Sequence, residues 1–524
     1  MDYVDYLIVG SGAAGVAAAW SLRDKNVAIF DVGRLPNGTL ECTSKSSLLA
    51  TGSASAVLGE HWEMLDTLHH TQLKPPKLRA QLLQHIANGE SATVTYQPNQ
   101  QVVINGSYAQ GGLANAWGAQ LLRYTQNDLD ECGDWPITAQ DLSNHYASLE
   151  QHIGISGEAD DMADFLGPTQ GLLRPIPILP VAQHLLNRCG HRAKTESNQN
   201  GKAVKFGYPR LAVLTERHND RAAHEFGETD FFEEHQQGVY SPKITLHQLM
   251  KEHNLAYRPQ QQLIDFTEYP DHVVAVFRDV NDHRISTIKT KSLLIACGVL
   301  HTTKLMLHKF GTPGESLSFI DHPPSLLPIF FPHFCGKELP TYSYPIQAIA
   351  TYGDEAGKKM VSFYYAGGVL KGDLLADLPI PLSYGRQLLP YLLSGMLVAQ
   401  IWTRSKPSAA NQIYLDRAGN LAINYALREP VSAIKQLIAA LRKAGGYSIA
   451  GLLKESPPGW GFHYAATLPM RMNPKKFETH TDGRLWNSER VRVIDGSVLP
   501  SLPAKNHSLT MMANAVRIAE GIRL

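Results

Sequence analysis

Cysteine is scarce in this 524-residue sequence, and no two cysteines form a C-x-x-C motif. An odd number of widely spaced cysteines suits neither a disulfide framework nor a zinc site. The neighbouring histidines His61 and His69 have no carboxylate at ligand spacing, so we predict no metal. The cysteines, which indicate a reducing compartment, are Cys42, Cys132, Cys189, Cys297 and Cys335.

An excess of charge is also missing, because 48 Lys and Arg residues balance 48 Asp and Glu residues. The chain therefore has no net field that would attract nucleic acid or an anionic membrane. We predict no nucleic-acid partner. The hydrophobic content of 44% and the charged content of 18% are typical of a globular enzyme.

No uncharged apolar run reaches the roughly eighteen residues of a transmembrane helix, so no membrane span is predicted. The nearest approach is the stretch 374–402. It lacks a basic face, so we interpret it as a buried or lid-forming segment; weak peripheral membrane contact, or contact with an apolar substrate, is the alternative. The first apolar strand follows Met1 closely, which leaves no room for a signal peptide, and we expect a cytoplasmic protein.

A nucleotide-binding pattern occupies the start of the chain. The apolar run Tyr6–Val9 ends at a G-x-G-x-x-G motif, a small-residue helix follows, and a second apolar run ends at Asp31. This order of strand, glycine turn, helix and strand is typical of a dinucleotide-binding unit. A carboxylate at Asp31 would accept hydrogen bonds from ribose hydroxyls, which favours FAD or NAD over NADP.

Each position in the glycine motif has a physical role. Gly10 permits the tight turn, Gly12 lets a pyrophosphate approach the backbone, and Gly15 lets the helix lie against the strand. Unpaired N–H groups at the helix start, which includes Ala13 and Ala14, would face the phosphates. The motif alone does not decide between the two dinucleotides.

A second glycine-rich segment, Gly106–Gly118, indicates a backbone that passes close to a flat group, because glycine has no Cβ to hold the chain away. Its part Gly111–Gly118 resembles the flavin-contacting loop of the glucose-methanol-choline (GMC) oxidoreductases. A later apolar strand ending at Ala296-Cys-Gly298 resembles another flavin-domain turn of that family. The resemblance implies FAD contacts at Gly111, Gly112, Asn115, Ala116, Ala296 and Gly298. Members with covalent FAD have a histidine where this chain has Ala116, so noncovalent FAD is implied.

The C-terminal seventy residues are similar to the GMC signature in order and spacing. His463 is followed by a strand ending at Asp495-Gly496-Ser497, then by Asn506 and His507, and then by a helix predicted from Leu509 to Ile522. The resemblance implies cofactor contacts at Asp495 and Gly496, and we add Ser508 and Leu509 at the helix start. The dipole of this helix would stabilise negative charge on the reduced flavin.

The chemistry of alcohol oxidation requires a base as well as FAD, because the flavin takes only the hydride. His463 is predicted to be that base, since its ordinary pKa lies near neutrality. A second polar group must orient the hydroxyl. Asn506 is the favoured partner and His507 is the alternative.

The length predicts two domains. The fold class is α/β, with a Rossmann-like FAD-binding domain (1–155, 240–311 and 456–524) and an α+β substrate domain on an antiparallel sheet (156–239 and 312–455). A helix from Leu246, a hairpin over Asn411–Tyr425 and a helix over Val431–Lys443 are predicted within these ranges.

The sequence predicts an FAD-dependent oxidation of a small-molecule alcohol, including sugar hydroxyls, to a carbonyl. A large apolar alcohol remains open because of the stretch 374–402. A lyase that keeps FAD as a structural group and a flavoprotein without turnover are further alternatives. No motif assigns the electron acceptor or the oligomeric state.

Overall fold

The computed structural model describes residues 3–35, 85–97, 100–190, 204–226, 237–253, 255–338, 344–354, 357–365, 382–426 and 431–523. Predictions that fall on 36–84, including the histidines near position 61, lie outside the described residues. The first part of the apolar stretch, 374–381, also lies outside them.

The described strands alternate with helices in the first and last parts of the chain and follow one another directly in between. They are β1 Tyr3–Val9, β2 Val27–Phe30, β3 Ser91–Gln97, β4 Gln100–Asn105, β5 Lys205–Gly207, β6 Ala256–Arg258, β7 Gln261–Glu268, β8 Val273–Asp279, β9 Ile285–Ile295, β10 Ser316–Ser318, β11 Ile320–Asp321, β12 Ser325–Phe330, β13 Ile346–Asp354, β14 Gly357–Tyr365, β15 Met396–Thr403, β16 Gln412–Leu415, β17 Leu421–Asn424, β18 Lys454–Glu455, β19 Tyr464–Ala465 and β20 Val491–Val493.

The described α-helices are α1 Ala13–Ser21, α2 Gln126–Cys132, α3 Ala139–Ile153, α4 Ala163–Leu166, α5 Pro180–Gly190, α6 Pro242–Glu252, α7 Val299–Phe310, α8 Leu382–Leu393, α9 Ile434–Lys443 and α10 Ser508–Glu520. Short 3₁₀ helices lie at Gly112–Ala116, Pro332–Phe334, Ala450–Leu452 and Gly496–Val498. Among the described residues, no helix has the length and apolar character needed to cross a bilayer.

The first sheet has the order β6-β2-β1-β9-β8-β7, and β20 pairs with the second half of β9. The strands β6, β2, β1, β9 and β20 are parallel to one another, whereas β7 and β8 join antiparallel. β2 and the second half of β1 (Tyr6–Val9) are continuously apolar and buried, as parallel strands covered on both faces require. Because α1 has small side chains, it packs closely against α10.

A second sheet has the order β18-β12-β15-β14-β13-β5, and every pair in it is antiparallel. One of its faces packs against α5 and α9 in a separate hydrophobic cluster. The mixed α/β fold and the antiparallel sheet that the sequence predicts are both present in the described residues.

A five-stranded sheet, β10-β16-β17-β3-β4, joins strands from the predicted ranges 1–155 and 312–455. The two-stranded ladder of β11 and β19 joins 312–455 to 456–524. Both sheets therefore cross the boundaries of the predicted ranges. The division of the chain into two domains over five ranges stays a prediction.

Two helices begin several residues away from their predicted starts, whereas a predicted hairpin agrees with the structure. The helix predicted from Val431 begins at Ile434, because Ala433 has a left-handed φ of 56° that cannot continue a helix. The helix predicted from Leu246 begins earlier, at Pro242, after the capping residue Ser241. The predicted hairpin is confirmed as β16 and β17, with its turn between Leu415 and Leu421.

The apolar stretch predicted as one segment contains two different elements. Tyr384, Leu388 and Tyr391 are exposed on α8, at helical spacing. Strand β15 is instead largely buried within the second sheet. The buried interpretation therefore holds for β15, and contact of α8 with lipid or an apolar substrate stays a prediction.

Candidate active site

Four parallel strands of the first sheet end at one edge and place the predicted nucleotide residues there. β1 leads into Gly10, β2 into Asp31, β9 into Ala296 and β20 into Asp495. The carboxyl ends of parallel strands are the usual place for a ligand in such sheets. The sequence predictions from distant parts of the chain thus meet at this edge.

The glycine turn after β1 is close-packed at two positions and open at one. Gly10 has a φ of 106°, and a Cβ there would overlap the carbonyl oxygen of Ala296. A Cβ at Gly15 would overlap the carbonyl oxygen of Gly10. A Cβ at Gly12 would meet nothing within 4 Å. Gly10 and Gly15 therefore serve packing, and Gly12 leaves room beside the start of α1, where Ala13 and Ala14 are its first residues.

Asp31 lies buried beside this turn. It accepts hydrogen bonds from the hydroxyls of Ser11 and, at 3.3 Å, of Tyr257. Burial raises the pKa of Asp31 to about 6, although these hydrogen bonds act in the opposite direction. The carboxylate is therefore already surrounded by hydroxyl donors.

The second glycine segment lies directly against the first. A Cβ at Gly112, whose φ is 64°, would lie 3.3 Å from Gly12 Cα. Asn115 donates to the carbonyl oxygens of Gln110 (2.7 Å) and Gly112 (3.0 Å) and accepts from Ser241 Oγ (2.6 Å). The amide of Asn115 thus ties its own turn to the start of α6.

The neighbouring residues complete this loop. Gly111 has a left-handed φ of 86°, and a Cβ there would lie 2.8 Å from Asn115 Oδ1. Ala116 ends the 3₁₀ helix Gly112–Ala116 and is half-buried.

Asp495 holds together the turns that follow β9 and β20. It accepts hydrogen bonds from the Gly298 N–H (2.9 Å), the Thr302 hydroxyl (2.6 Å) and the Ser497 N–H (2.9 Å). Burial raises its pKa, and these hydrogen bonds oppose the rise. A Cβ at Gly298 would meet nothing within 4 Å. The turn is therefore open at Gly298, although its N–H is bound to Asp495.

His463 lies immediately before β19, between two residues with unusual backbone angles. Phe462 and Ala466 have backbone φ angles of 52° and 65°, which residues other than glycine rarely adopt. Such strain concentrates at functional positions. The ladder of β11 and β19 pairs Asp321 with Tyr464, so the next residue, His322, lies beside His463.

His463 and His507 meet at this point, and Asn506 directly precedes His507 in the chain. The rings of His463 and His507 have centroids 4.8 Å apart and are nearly perpendicular, at 86°. His463 Nδ1, His507 Nδ1 and Asn506 Oδ1 are buried and have no hydrogen-bond partner in the described part of the chain. Buried polar atoms normally have a partner, so these three indicate a group that binds here. The structure brings together all three predicted catalytic residues.

The start of α10 lies beside His463, because His507 contacts the His463 ring. His507 is its N-cap, and its first turn carries neither a capping side chain nor an acidic residue. Ser508 is half-buried and Leu509 is fully buried. Gly496 lies on the other side, where a Cβ would be 3.9 Å from His507 Nε2.

Two site residues were missed by the sequence predictions, because they come from segments far away in the sequence: Trp402 from the second sheet and His322 from the residue after β11. Trp402, on β15, stacks on His463 with centroids 4.7 Å apart at 25°. His322 is fully buried, its ring centroid lies 5.6 Å from that of His463, and its Nε2 bonds to the Thr403 carbonyl oxygen. No motif marks either residue. A glycine does mark the contact, since a Cβ at Gly461 would overlap the His322 carbonyl oxygen.

Burial keeps both facing imidazoles neutral. It lowers the pKa of His507 to about 4. It also lowers the pKa of His463 well below its ordinary value, and the nearby His507 and His322 add to this effect. At neutral pH, each ring has a nitrogen lone pair that can accept a proton.

The match to a known family falls on this region. Residues 452–515 match the family model described as GMC oxidoreductase. The C-terminal segment is therefore similar to that of GMC oxidoreductases. This GMC segment contains His463, Asp495, Asn506 and His507, so the resemblance predicted from the sequence is confirmed.

The whole fold is similar to the crystal structure of pyridoxine 4-oxidase from Mesorbium loti, with a TM-score of 0.56 over 99% of this chain and 98% of that chain. The two sequences are 13% identical, so this likeness shows the fold alone. No curated protein sequence matches this chain significantly.

Proposed function

We propose that this protein is an FAD-dependent alcohol oxidoreductase with His463 and His507 at its reaction centre. The observation that carries the proposal is the meeting of two neutral imidazoles, next to Asn506, at the edge where the nucleotide turns end. Each of the three side chains has an unpartnered buried polar atom among the described residues. The GMC segment supports the same class of reaction.

The residues at the sheet edge fit FAD. Gly12 and Gly298 leave open space at the starts of α1 and α7, and neither helix has an acidic first turn or a capping side chain. Their N–H groups and dipoles therefore favour the pyrophosphate. Asp31 would accept hydrogen bonds from the ribose hydroxyls in place of those it now accepts from Ser11 and Tyr257. Ala116 has no nucleophilic group that could form a covalent link to FAD. We therefore propose noncovalent FAD.

The catalytic step divides between cofactor and protein. A bound FAD would supply the oxidation chemistry, as the acceptor of the hydride from the carbinol carbon. His463 accepts the hydroxyl proton, because its imidazole is neutral at physiological pH. His507 and Asn506 hold the alcohol oxygen. The ring contact at 4.8 Å supports His507 as a direct partner of His463, in addition to the favoured Asn506.

The inner face of the second sheet supports a polar substrate. Register pairs Met360 with Trp402, Ser362 with Gln400, and Tyr364 with Val398, and directly paired residues share a face. This face meets the site, since Trp402 stacks on His463 and a Cβ at Gly118 would lie 3.2 Å from the Tyr364 hydroxyl.

Two polar groups on this face are free to bind a ligand. The Tyr364 hydroxyl and the Gln400 amide are half-buried and have no hydrogen-bond partner among the described residues. Unpaired polar groups in a closed site disfavour an apolar ligand. The proposed substrate is therefore a compact alcohol with further hydrogen-bonding groups, such as a sugar or polyol.

The test starts with the visible spectrum of the purified protein before and after acid precipitation. We expect a flavin that stays in solution when the protein precipitates, which shows noncovalent binding. Anaerobic mixing with sugars, polyols and long-chain alcohols should then bleach the flavin, most strongly with the polar alcohols. A protein that cannot take up FAD would refute the proposal. Product formation without bleaching would instead show a lyase.

A further inference from the structure

Lys505 is fully buried. It directly precedes Asn506 and His507, the two proposed catalytic residues at the start of α10. Its ammonium donates to Asp128 Oδ2, to the Phe165 carbonyl oxygen and, at 3.1 Å, to the Arg123 carbonyl oxygen. An ammonium has three N–H donors, so all of them are used. The Nζ also lies 4.2 Å from the Phe165 ring centroid.

Asp128 is equally fixed. Its carboxylate accepts from the Thr125 N–H and the Thr125 hydroxyl, both at 2.7 Å, in the capping box of α2. Its side chain is 4% exposed. A buried pair of opposite charges contributes little net stability compared with apolar residues of similar size. Stability alone therefore does not require a lysine at this position.

The contacts of Lys505 lead to both sides of the reaction centre. Along the chain, the next residues are Asn506 and His507. Across space, Phe165 belongs to the same hydrophobic cluster as Trp402, which stacks on His463. The Lys505 carbonyl oxygen also accepts from the Tyr124 hydroxyl at 3.4 Å.

We propose that Lys505, through its pair with Asp128, is a positioning residue that fixes Asn506 and His507 against His463. The inference rests on the proposed function, because it concerns the same reaction centre. Three fixed acceptors determine where the Lys505 ammonium lies. Because the ammonium is fixed, the backbone that leads from Lys505 to Asn506 and His507 is held in one position. An apolar pair would fill the space without this constraint.

The test is the double variant Lys505→Met/Asp128→Leu. Removing both charges leaves no buried charge unpaired, so we expect a folded protein. Its melting temperature should fall by a few degrees, because Asp128→Leu also removes the acceptor of the Thr125 capping hydrogen bonds. Loss of position should lower kcat by about 30-fold or more, while KM changes by less than about threefold, because small misplacements of reacting groups cost up to about 100-fold in rate. A folded double variant with wild-type kcat would overturn the proposal.

The single variant Asp128→Asn tests the proposal if the double variant does not fold. It keeps the shape and an acceptor but removes the charge, and kcat should fall by about fivefold or more at unchanged KM. Wild-type kcat in this variant would also overturn the proposal. The matched control is Lys304→Met/Glu90→Leu, which removes a pair with a 2.9 Å contact elsewhere in the fold and should leave kcat unchanged.

A readout without turnover separates this inference from the proposed function. In histidine-labelled protein, the NMR signal that disappears in His507→Gln identifies His507. Its pKa should rise from about 4 toward the ordinary value in the double variant, because the loosened loop admits water. An unchanged titration contradicts positioning. Absence of flavin bleaching by wild-type protein would contradict the proposed function alone.

Discussion

Around the candidate site, the parallel sheet contributes mainly backbone, whereas the antiparallel sheet contributes side chains. At the edge of the parallel sheet, Gly12 and Gly298 leave open space beside helix starts. From the antiparallel sheet, Trp402 and Tyr364 reach the region of His463 and Gly118. Under the proposed function, the difference teaches that the cofactor is held mainly by the shape of the backbone, whereas the substrate is contacted mainly by side chains.

The largest effect is expected where the two regions meet. His463→Gln removes the base but keeps a polar side chain of similar size, so kcat should fall by about 10³-fold with FAD still bound. Steady-state kinetics and the flavin content of the variant measure both effects. The control is His308→Gln, at an exposed position on α7, which should retain wild-type kcat. A His463→Gln enzyme within tenfold of wild type would remove this residue from the mechanism.

The backbone role of the parallel sheet is sharpened by comparing two glycines. Gly12→Val places a side chain in open space, so the apoprotein should fold normally but bind FAD at least about 100-fold more weakly, since the side chain occupies the room left for the pyrophosphate. Gly10→Ala strains a φ of 106° and overlaps Ala296, so it should instead destabilise the fold by about 3 kcal/mol.

Thermal unfolding of apoprotein and FAD titration distinguish these two outcomes. If Gly12→Val unfolds and Gly10→Ala only loses FAD, the assignment of packing and binding roles is reversed. Gly171→Val is a control for the first variant, since a Cβ at Gly171 also meets nothing within 4 Å. Its φ of 81° makes some strain expected there, but FAD affinity should not change.

The contribution of the second sheet to the base is tested by Trp402→Leu. The smaller side chain no longer covers the His463 ring, so water reaches the imidazole and its lowered pKa should rise toward the ordinary value. A protonated imidazole cannot accept the hydroxyl proton. The acid limb of kcat/KM should therefore move to higher pH, so that kcat/KM falls by up to about 30-fold at pH 5 but by less than about twofold at pH 7.

A pH series of kcat/KM measures this shift. Trp486→Leu is the control, because Trp486 packs against Phe310 and Phe477 and its replacement should leave the acid limb in place. An unmoved limb in Trp402→Leu would mean that the stacked tryptophan does not control the basicity of His463.

Much of the parallel sheet was predictable because its requirements are local. A left-handed turn at Gly10 and a close approach at Gly15 each demand glycine, and their spacing follows from one turn and one helix. The contacts of Trp402 and His322 with His463 were not predictable, since they depend on strand register between segments far apart in sequence. One-residue changes of register reverse the face of every side chain.

Asn115 shows a different limit of prediction from the sequence. The resemblance implies a cofactor contact there, yet its side chain holds the turn of its own loop and the hydroxyl of Ser241. An asparagine that shapes the loop and an asparagine that contacts FAD look the same in the sequence. Only the hydrogen-bond partners distinguish the two.

The smallest effect is expected for substrate recognition by the antiparallel sheet. Tyr364→Phe removes only the hydroxyl that faces Gly118, so the fold and FAD binding should be unaffected. If that hydroxyl donates to the substrate, kcat/KM for a polyol or sugar should fall by about fivefold to tenfold, as expected for one neutral hydrogen bond. Activity on a long-chain alcohol should stay the same or rise, because the unpaired hydroxyl no longer has to be desolvated. Equal losses on both substrates would indicate a packing role for Tyr364. In that case the polar face of the second sheet would not select the substrate, and Trp402 would be the remaining side chain of this sheet with a role at the site.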